Sequence, residues 1–228
     1  MYPVVGIRST KKEWRRVINV FLVQRSILEV TVVTGFGQGR VEKMLSHIRD
    51  RMNVSMPGPF SGICEADETF IGGQRKNKRI HIRRRPCKRG HGTDKTPIVG
   101  VYSRDLGQVS VQIVSRRSEE TVIGFMVSML NPDAVLYTDG YKMNRAVKKY
   151  GVEHHYVDHA SGEFVRGDIH TNSIEGFWGY MKRHLAMIGG IRRDRMQLFV
   201  AEIVWRYNNR SLTLIEKEET LLQLIIVD

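Results

Sequence analysis

The sequence is short of several things. Cysteine occurs twice in 228 residues, at Cys64 and Cys87, which excludes a disulfide framework and points to a reducing interior compartment. No apolar run approaches the roughly 18 residues that a bilayer span needs; the longest, 17–23 and 221–227, are core-sized. Six prolines and 21 glycines are too few for wholesale disorder. The first residues, Met-Tyr-Pro-Val-Val-Gly, lack the charged-then-apolar layout of a secretory signal. Negative charge is scarce as well: 24 Asp and Glu stand against 36 Lys and Arg, a net +12. A globular chain this basic faces a polyanion, with nucleic acid ahead of an anionic membrane surface. Its length allows one or two domains, each able to bury a core unaided.

The pattern divides at a Pro-Gly linker, Met56-Pro57-Gly58-Pro59. Residues 1–56 read as helical. Trp14, Val17, Ile18, Phe21 and Leu22 recur at 3–4 spacing, and Val41, Met44, Leu45 and Ile48 form a second stripe. Between them lie a short segment, 26–33, and the Gly-rich turn Thr34-Gly35-Phe36-Gly37-Gln38-Gly39. That order resembles a helix-turn-helix, with Arg40, Lys43, Arg49 and Arg51 on or near its second helix for DNA. The plainer alternative is a helical hairpin packed on the main domain.

Residues 57–228 read as an α/β region. Strands are expected at 63–69, 96–103 and 108–114, the last two joined by a hairpin at Arg104-Asp105-Leu106-Gly107. A helix over 118–130, N-capped by Ser118, precedes a strand at 134–138 that Asp139-Gly140 closes. A helix over 141–150, stopped by Gly151, leads to a strand at 152–157. Helices over 172–188, 193–208 and 218–227 complete a β-β-β-α-β-α-β-α-α order, which implies a mixed sheet with flanking helices. From Thr69 to Thr93 there is no acid, yet Arg75, Lys76, Lys78, Arg79, Arg83, Arg84, Arg85, Lys88 and Arg89 all fall there. So many cations without counter-charge repel one another unless a phosphate backbone lies against them; a mobile loop is the alternative.

Three acids occupy suggestive places. Asp67 lies in Glu65-Ala66-Asp67-Glu68-Thr69 on the first strand, Asp139 ends the fourth, and Glu175 is in the first turn of the helix after the fifth. Strand ends and helix starts converge at one edge of an open sheet, and three carboxylates gathered there repel unless a cation joins them. Hard oxygen donors suit Mg²⁺ or Mn²⁺, and a pair of such ions serves phosphoryl transfer. Lys182, seven residues after Glu175, returns to within about 20° on the helix face, roughly 10 Å along, placed for a flanking phosphate. Asn172, one turn before Glu175, can point at the same site. Singly, each acid has an ordinary reading: Asp139 as a turn residue, Asp67 with Glu65 and Glu68 as a solvated edge, Glu175 as a helix-dipole partner. Phe177, Trp178, Met181, Trp205 and Tyr207 read as core. His170 is either a neighbour of DNA or of an acid, or an idle loop histidine. Cys64, His81, Cys87 and His91 have the spacing of no common zinc site.

Four motifs in order carry a resemblance. They are Glu65-Ala66-Asp67-Glu68-Thr69-Phe70-Ile71-Gly72-Gly73, then Tyr137-Thr138-Asp139-Gly140-Tyr141, then His170-Thr171-Asn172-Ser173-Ile174-Glu175-Gly176-Phe177-Trp178, then Arg206-Tyr207-Asn208-Asn209-Arg210. Over most of 60–210 the chain resembles the catalytic domain of DDE insertion-sequence transposases of the ISXO-like type, related to the eukaryotic Merlin elements. The resemblance implies an RNase H-like fold for 57–228 and a metal-holding triad of Asp67, Asp139 and Glu175 with Lys182 as basic partner. Asn172 is the rival for third place. It also implies Mg²⁺ or Mn²⁺ as two ions, cleavage at transposon ends with strand transfer into target DNA, and a dimer or larger homo-oligomer on DNA rather than a membrane. Asn172, Lys182 and Arg183 join the expected DNA contacts. Action on DNA implies the nucleoid of a prokaryotic cytoplasm, or a eukaryotic nucleus. An RNase H-fold nuclease without strand transfer and a domesticated DNA-binding protein are the alternatives. Family members commonly carry a zinc ribbon ahead of the helix-turn-helix; no cysteine precedes Cys64 here, so the resemblance does not extend to that module.

Overall fold

The computed structural model describes residues 2–4, 7–23, 26–72, 80–84, 95–114, 118–139, 144–157 and 167–226. In chain order its elements are β1 (Tyr2–Val4), β2 (Ile7–Ser9), α1 (Lys11–Val23), α2 (Ile27–Thr34), α3 (Gln38–Val54), β3 (Ile63–Ile71), the short α4 (Ile80–Arg83), β4 (Thr96–Ser103), β5 (Gln108–Ile113), α5 (Glu119–Ser128), β6 (Val135–Asp139), a 3₁₀ segment (Asn144–Tyr150), β7 (Glu153–Val157), α6 (Asn172–Ile188), α7 (Met196–Asn208) and α8 (Leu214–Ile226). They form two compact units: one of 1–56 with 191–228, the other of 57–190.

The first unit is helical. Trp14, Val17, Ile18, Phe21 and Leu22 of α1 are buried at the spacing of one helix face. They share a core with Val41, Met44, Leu45, Ile48 and Met52 of α3 and with Trp205, Leu221, Leu222 and Ile225. Residues 191–228, expected to end the α/β region, therefore belong here: the apolar stripes of α1 and α3 are closed by side chains of α7 and α8. Three helices start on reciprocal or single side-chain caps. Thr10 and Glu13 exchange hydrogen bonds ahead of α1, Ser26 accepts from the Glu29 amide ahead of α2, and Thr213 and Glu216 exchange bonds ahead of α8. That last cap starts α8 at Leu214, four residues before the expected 218. Gly35, at φ 68°, closes α2 in the left-handed conformation that glycine adopts without Cβ strain.

A buried charge cluster sits in this unit. Glu202, 2% exposed, takes Arg49 Nε at 2.8 Å on one oxygen and Arg206 Nε at 2.8 Å on the other. Both guanidinium groups also lie against the Phe21 ring. Arg206 further donates to the carbonyls of Phe21 and Leu22 at the end of α1. Arg49 thus faces inward rather than toward DNA, Arg51 donates to the Leu224 carbonyl, and Arg40 pairs with Glu13. Of the four cations expected on the DNA side of α3, Lys43 is the one these contacts leave out, and it is exposed.

The second unit is a five-stranded mixed sheet in the order β5-β4-β3-β6-β7. β3, β4 and β5 pair antiparallel; β3, β6 and β7 pair parallel. This arrangement, with helices on the sheet, is the RNase H-like α/β fold. Alternation along β3 separates two faces. Cys64 and Ala66 enter a core with Val99, Val101, Val122, Ile123 and Met126, and so face α5. Glu65 and Asp67 point the other way, to α6. Cys64 is a buried free thiol in that core, and burial pushes it up to about 12. Ser118 caps α5 as expected, accepting from the Thr121 amide. Among the described residues no helix is long and apolar enough to cross a membrane.

Candidate active site

Asp67 and Asp139 stand at equivalent heights on neighbouring parallel strands. The last registered pair of β3 and β6 is Ala66 with Thr138; Asp67 is the next residue of one strand and Asp139 the last of the other. Neighbouring strands lie about 4.8 Å apart. Burial raises the Asp67 carboxyl to about 7, and the Asp139 and Glu175 carboxylates push it the same way; the Glu68 amide and the Trp178 indole oppose them.

Glu175 sits in the first turn of α6. The buried Thr171 donates its hydroxyl to Glu175 Oε1 at 2.8 Å. The start of α6 is itself anchored on the sheet by Glu65, which is 0% exposed. Glu65 Oε2 accepts the amides of Ser173 at 2.9 Å and Ile174 at 3.0 Å, satisfying two of the orphan donors of a helix N-terminus. Its other oxygen takes the Ser173 hydroxyl at 2.9 Å and Arg104 Nε at 2.6 Å. Arg104 also donates to the carbonyls of Asp168 and His170 and meets His170 Nδ1. Glu65 is therefore no solvated edge: it is the buried clamp between β3 and α6.

Trp178 completes the fit. Its Nε1–H donates to Asp67 Oδ2 at 3.0 Å. Glu65 meets Ser173 and Ile174, and Asp67 meets Trp178; two strand residues span about 6.6 Å and four helical residues about 6 Å, so α6 runs along β3. One turn on, Lys182 is exposed. Its ammonium is held below its ordinary range by partial burial and by Lys95, while Asp67 draws it up. Asn172 and Arg183 are exposed on the same helix.

The acids are thus near neighbours without forming a finished cage: among the described residues no group of three or more His, Cys, Asp or Glu stands ready to hold a metal ion. The donor set still fits a hard cation, because the repulsion that two carboxylates exert on Asp67 is what such a charge relieves. Of the expected DNA-facing cations, Arg75, Lys76, Lys78, Arg79, Arg85, Lys88 and Arg89 lie outside the described residues. Arg83 ends α4, and Arg84 is exposed.

Sequence reasoning missed Glu65, Thr171 and Arg104 and took Trp178 for core alone. The signal for Glu65 was its place two residues from Asp67, on the same strand face. Nothing local marks Arg104, which sits in a hairpin turn.

Comparison with known proteins bears on this site. The model of the ISXO2-like transposase domain matches residues 59–208. An uncharacterised transposase-like protein of Haemophilus influenzae is 26% identical over 105 residues, 46% of this chain and 85% of that protein. An uncharacterised protein in the transposable element ISH50 of Halobacterium salinarum is 26% identical over 154 residues, 63% of this chain and about half (51%) of that one. Among solved structures, a simian T-cell lymphotropic virus intasome bound to the PP2A regulatory subunit B56 gamma aligns at TM-score 0.34 and 12% identity, covering 91% of this chain and 67% of that one. The Mos1 transposase paired-end complex with left transposon end aligns at TM-score 0.34 and 10% identity, covering 98% and 81%. The motif order, the strand register that sets Asp67 beside Asp139, and a family match over most of the chain agree: this chain belongs to the family of ISXO2-like transposase domains.

Proposed function

We propose that the chain is a DDE-type transposase that cleaves DNA at transposon ends and transfers the strand into target duplex, using divalent metal. The observation that carries this is Asp67, a carboxyl raised to about 7 by burial and by two further carboxylates from β6 and α6. Proteins concentrate like charge in this way at functional sites. Asp67, Asp139 and Glu175 would hold Mg²⁺ or Mn²⁺, two ions in the proposed arrangement. When bound, those ions supply Lewis-acid stabilisation of the phosphoryl group and of the attacking and leaving oxygens.

The chain's own residues orient that chemistry. Glu65 and Arg104 fix the start of α6, and Thr171 fixes the Glu175 carboxylate. Glu175 is taken as the third acid, its charge adding to that of Asp139 at Asp67, with Asn172 as the minor rival one turn before it. Lys182 and Arg183 offer cations to phosphates flanking the reacting one. The acid-free segment 69–93 supplies the backbone contact, and the α2–α3 pair of residues 1–56 holds duplex through the side that carries Lys43. Two transposon ends call for a dimer or larger assembly on DNA, at the nucleoid or in a nucleus.

The test uses labelled duplexes carrying the terminal sequences that flank the gene, with Mg²⁺ or Mn²⁺. Asp67→Ala and Asp139→Ala abolish strand cleavage and leave gel retention of the duplex unchanged. Cutting by either variant at the parent's rate breaks the assignment. Joined product from a labelled 3′-hydroxyl end separates a transposase from a nuclease, and binding without cutting at any metal concentration would mean a domesticated DNA-binding protein.

A further inference from the structure

Position 100 has no side chain, and the reason lies across the sheet face. Gly100 is the registered partner of Asp67 in the β3–β4 ladder. A Cβ built there would lie 2.7 Å from Cη2 and 2.9 Å from Cζ2 of Trp178, and 3.1 Å from Ile174 Cδ1. The indole of Trp178, 4% exposed, occupies the space that a side chain on β4 would fill. From that slot its Nε1–H reaches Asp67 Oδ2 at 3.0 Å.

A core position on a helix asks for shape, which phenylalanine or leucine supplies with no polar atom to satisfy. Tryptophan there brings an N–H that needs an acceptor when buried. Here that acceptor is the carboxylate next to Asp139. The choice of donor matters chemically. Glu65, one alternation back along β3, is held by the guanidinium of Arg104, which neutralises it. Asp67 is held by an uncharged donor, which fixes the carboxyl's orientation without supplying a counter-charge.

We propose that Trp178 is a positioning residue for Asp67, seated by the missing side chain of Gly100, and that the Gly100–Trp178–Asp67 contact sets the orientation in which Asp67 acts. This rests on the reading of Asp67 as a member of the catalytic triad. Groups that orient metal-holding carboxylates are worth about 10- to 100-fold in activity or metal affinity.

The chain has three tryptophans, of which Trp178 is the one within 57–190. In the full-length protein labelled with ¹⁵N on the indoles, Asp67→Ala moves one of three N–H resonances, and Gly100→Ala moves the same one. If Asp67→Ala moves none, the contact does not exist in solution and the proposal falls. With Mg²⁺, Trp178→Phe lowers cleavage about tenfold or more at limiting metal, and higher metal recovers part of the loss; a purely structural role would give neither the metal dependence nor the recovery. Parental cleavage by folded Trp178→Phe overturns the proposal, whereas an unfolded variant leaves the resonance test to decide it. If the parent itself cuts no DNA while the resonance moves, the proposed function fails and the Asp67–Trp178 contact stands.

Discussion

The two units each bury a carboxylate on a helix or strand, and they treat it in opposite ways. In the helical unit Glu202 lies between two guanidinium groups, Arg49 and Arg206, that compensate it fully. In the sheet unit Asp67 feels two further carboxylates, takes the hydrogen bond of one uncharged indole, and has its carboxyl raised to about 7. The desolvation cost of a buried ion is several kcal/mol, so the Glu202 arrangement serves the fold while the Asp67 arrangement strains it. A charge that the protein neutralises itself builds structure; on the function proposed above, the like charges gathered at Asp67 are the place for a cation.

The largest effects should separate those roles. Glu202→Ala leaves two guanidinium groups without their carboxylate and costs about 3–5 kcal/mol in urea unfolding; cleavage per folded molecule stays at the parent's level. Glu65→Ala breaks a comparable buried pair with Arg104 and costs about as much. It also lowers cleavage per folded molecule, because the helix start that carries Glu175 loses its anchor. Equal activity for the two folded variants would mean that the Glu65 clamp holds the fold and has no bearing on the helix start at the site.

A smaller effect tests the proposed cation directly. Mn²⁺ at about 100 times its dissociation constant stabilises the parent by about 2.7 kcal/mol, seen as a rise in the thermal midpoint. Asp67→Ala removes the rise, and Glu202→Gln, where it folds, retains it. A rise that survives in Asp67→Ala places the ion elsewhere.

The smallest effect concerns a third buried group. Burial holds His154 down to about 4 from an ordinary 6.5, and Lys148 and His155 push the same way. Its Nε2 meets the Thr138 hydroxyl at 2.8 Å, and its Nδ1 has no hydrogen-bond partner among the described residues. The folded state therefore binds this proton more weakly than the unfolded chain does. Stability from the neutral ring is complete above 6.5 and is lost as pH falls from 6.5 toward 4. His154→Asn flattens that part of the acid limb, as urea midpoints between pH 8 and 4.5 would show. An unchanged limb would mean that His154 is protonated in the fold.

Much of this was legible in the chain. The helix Asn172–Ile188 has the ends expected of it, since its apolar period is strong and Thr171 and Gly189 bracket it. The strands came out within two residues because alternation and β-rich composition marked them. The errors have physical sources. β1 and β2, three residues each, are too short to show a period. The start of α8 was written in the capping box Thr213-Leu214-Ile215-Glu216 but hidden by the weaker pattern before 218. The 3₁₀ segment Asn144–Tyr150 was read as α-helix, because seven residues carry the spacing of either.

By itself the sequence determined the basic charge, the two hydrophobic regimes on either side of the Pro-Gly linker, and the spacing of three acids with a lysine two turns after the last. Those are properties of composition and period, which each segment carries alone. Tertiary structure decided which arginines face inward, which half the last helices join, that Glu65 has a guanidinium beside it while Asp67 has an uncharged indole, and that a glycine on β4 makes room for that indole. Each of these depends on what stands opposite a side chain across a sheet or a helix interface, and residues that meet there are up to 204 positions apart in the chain.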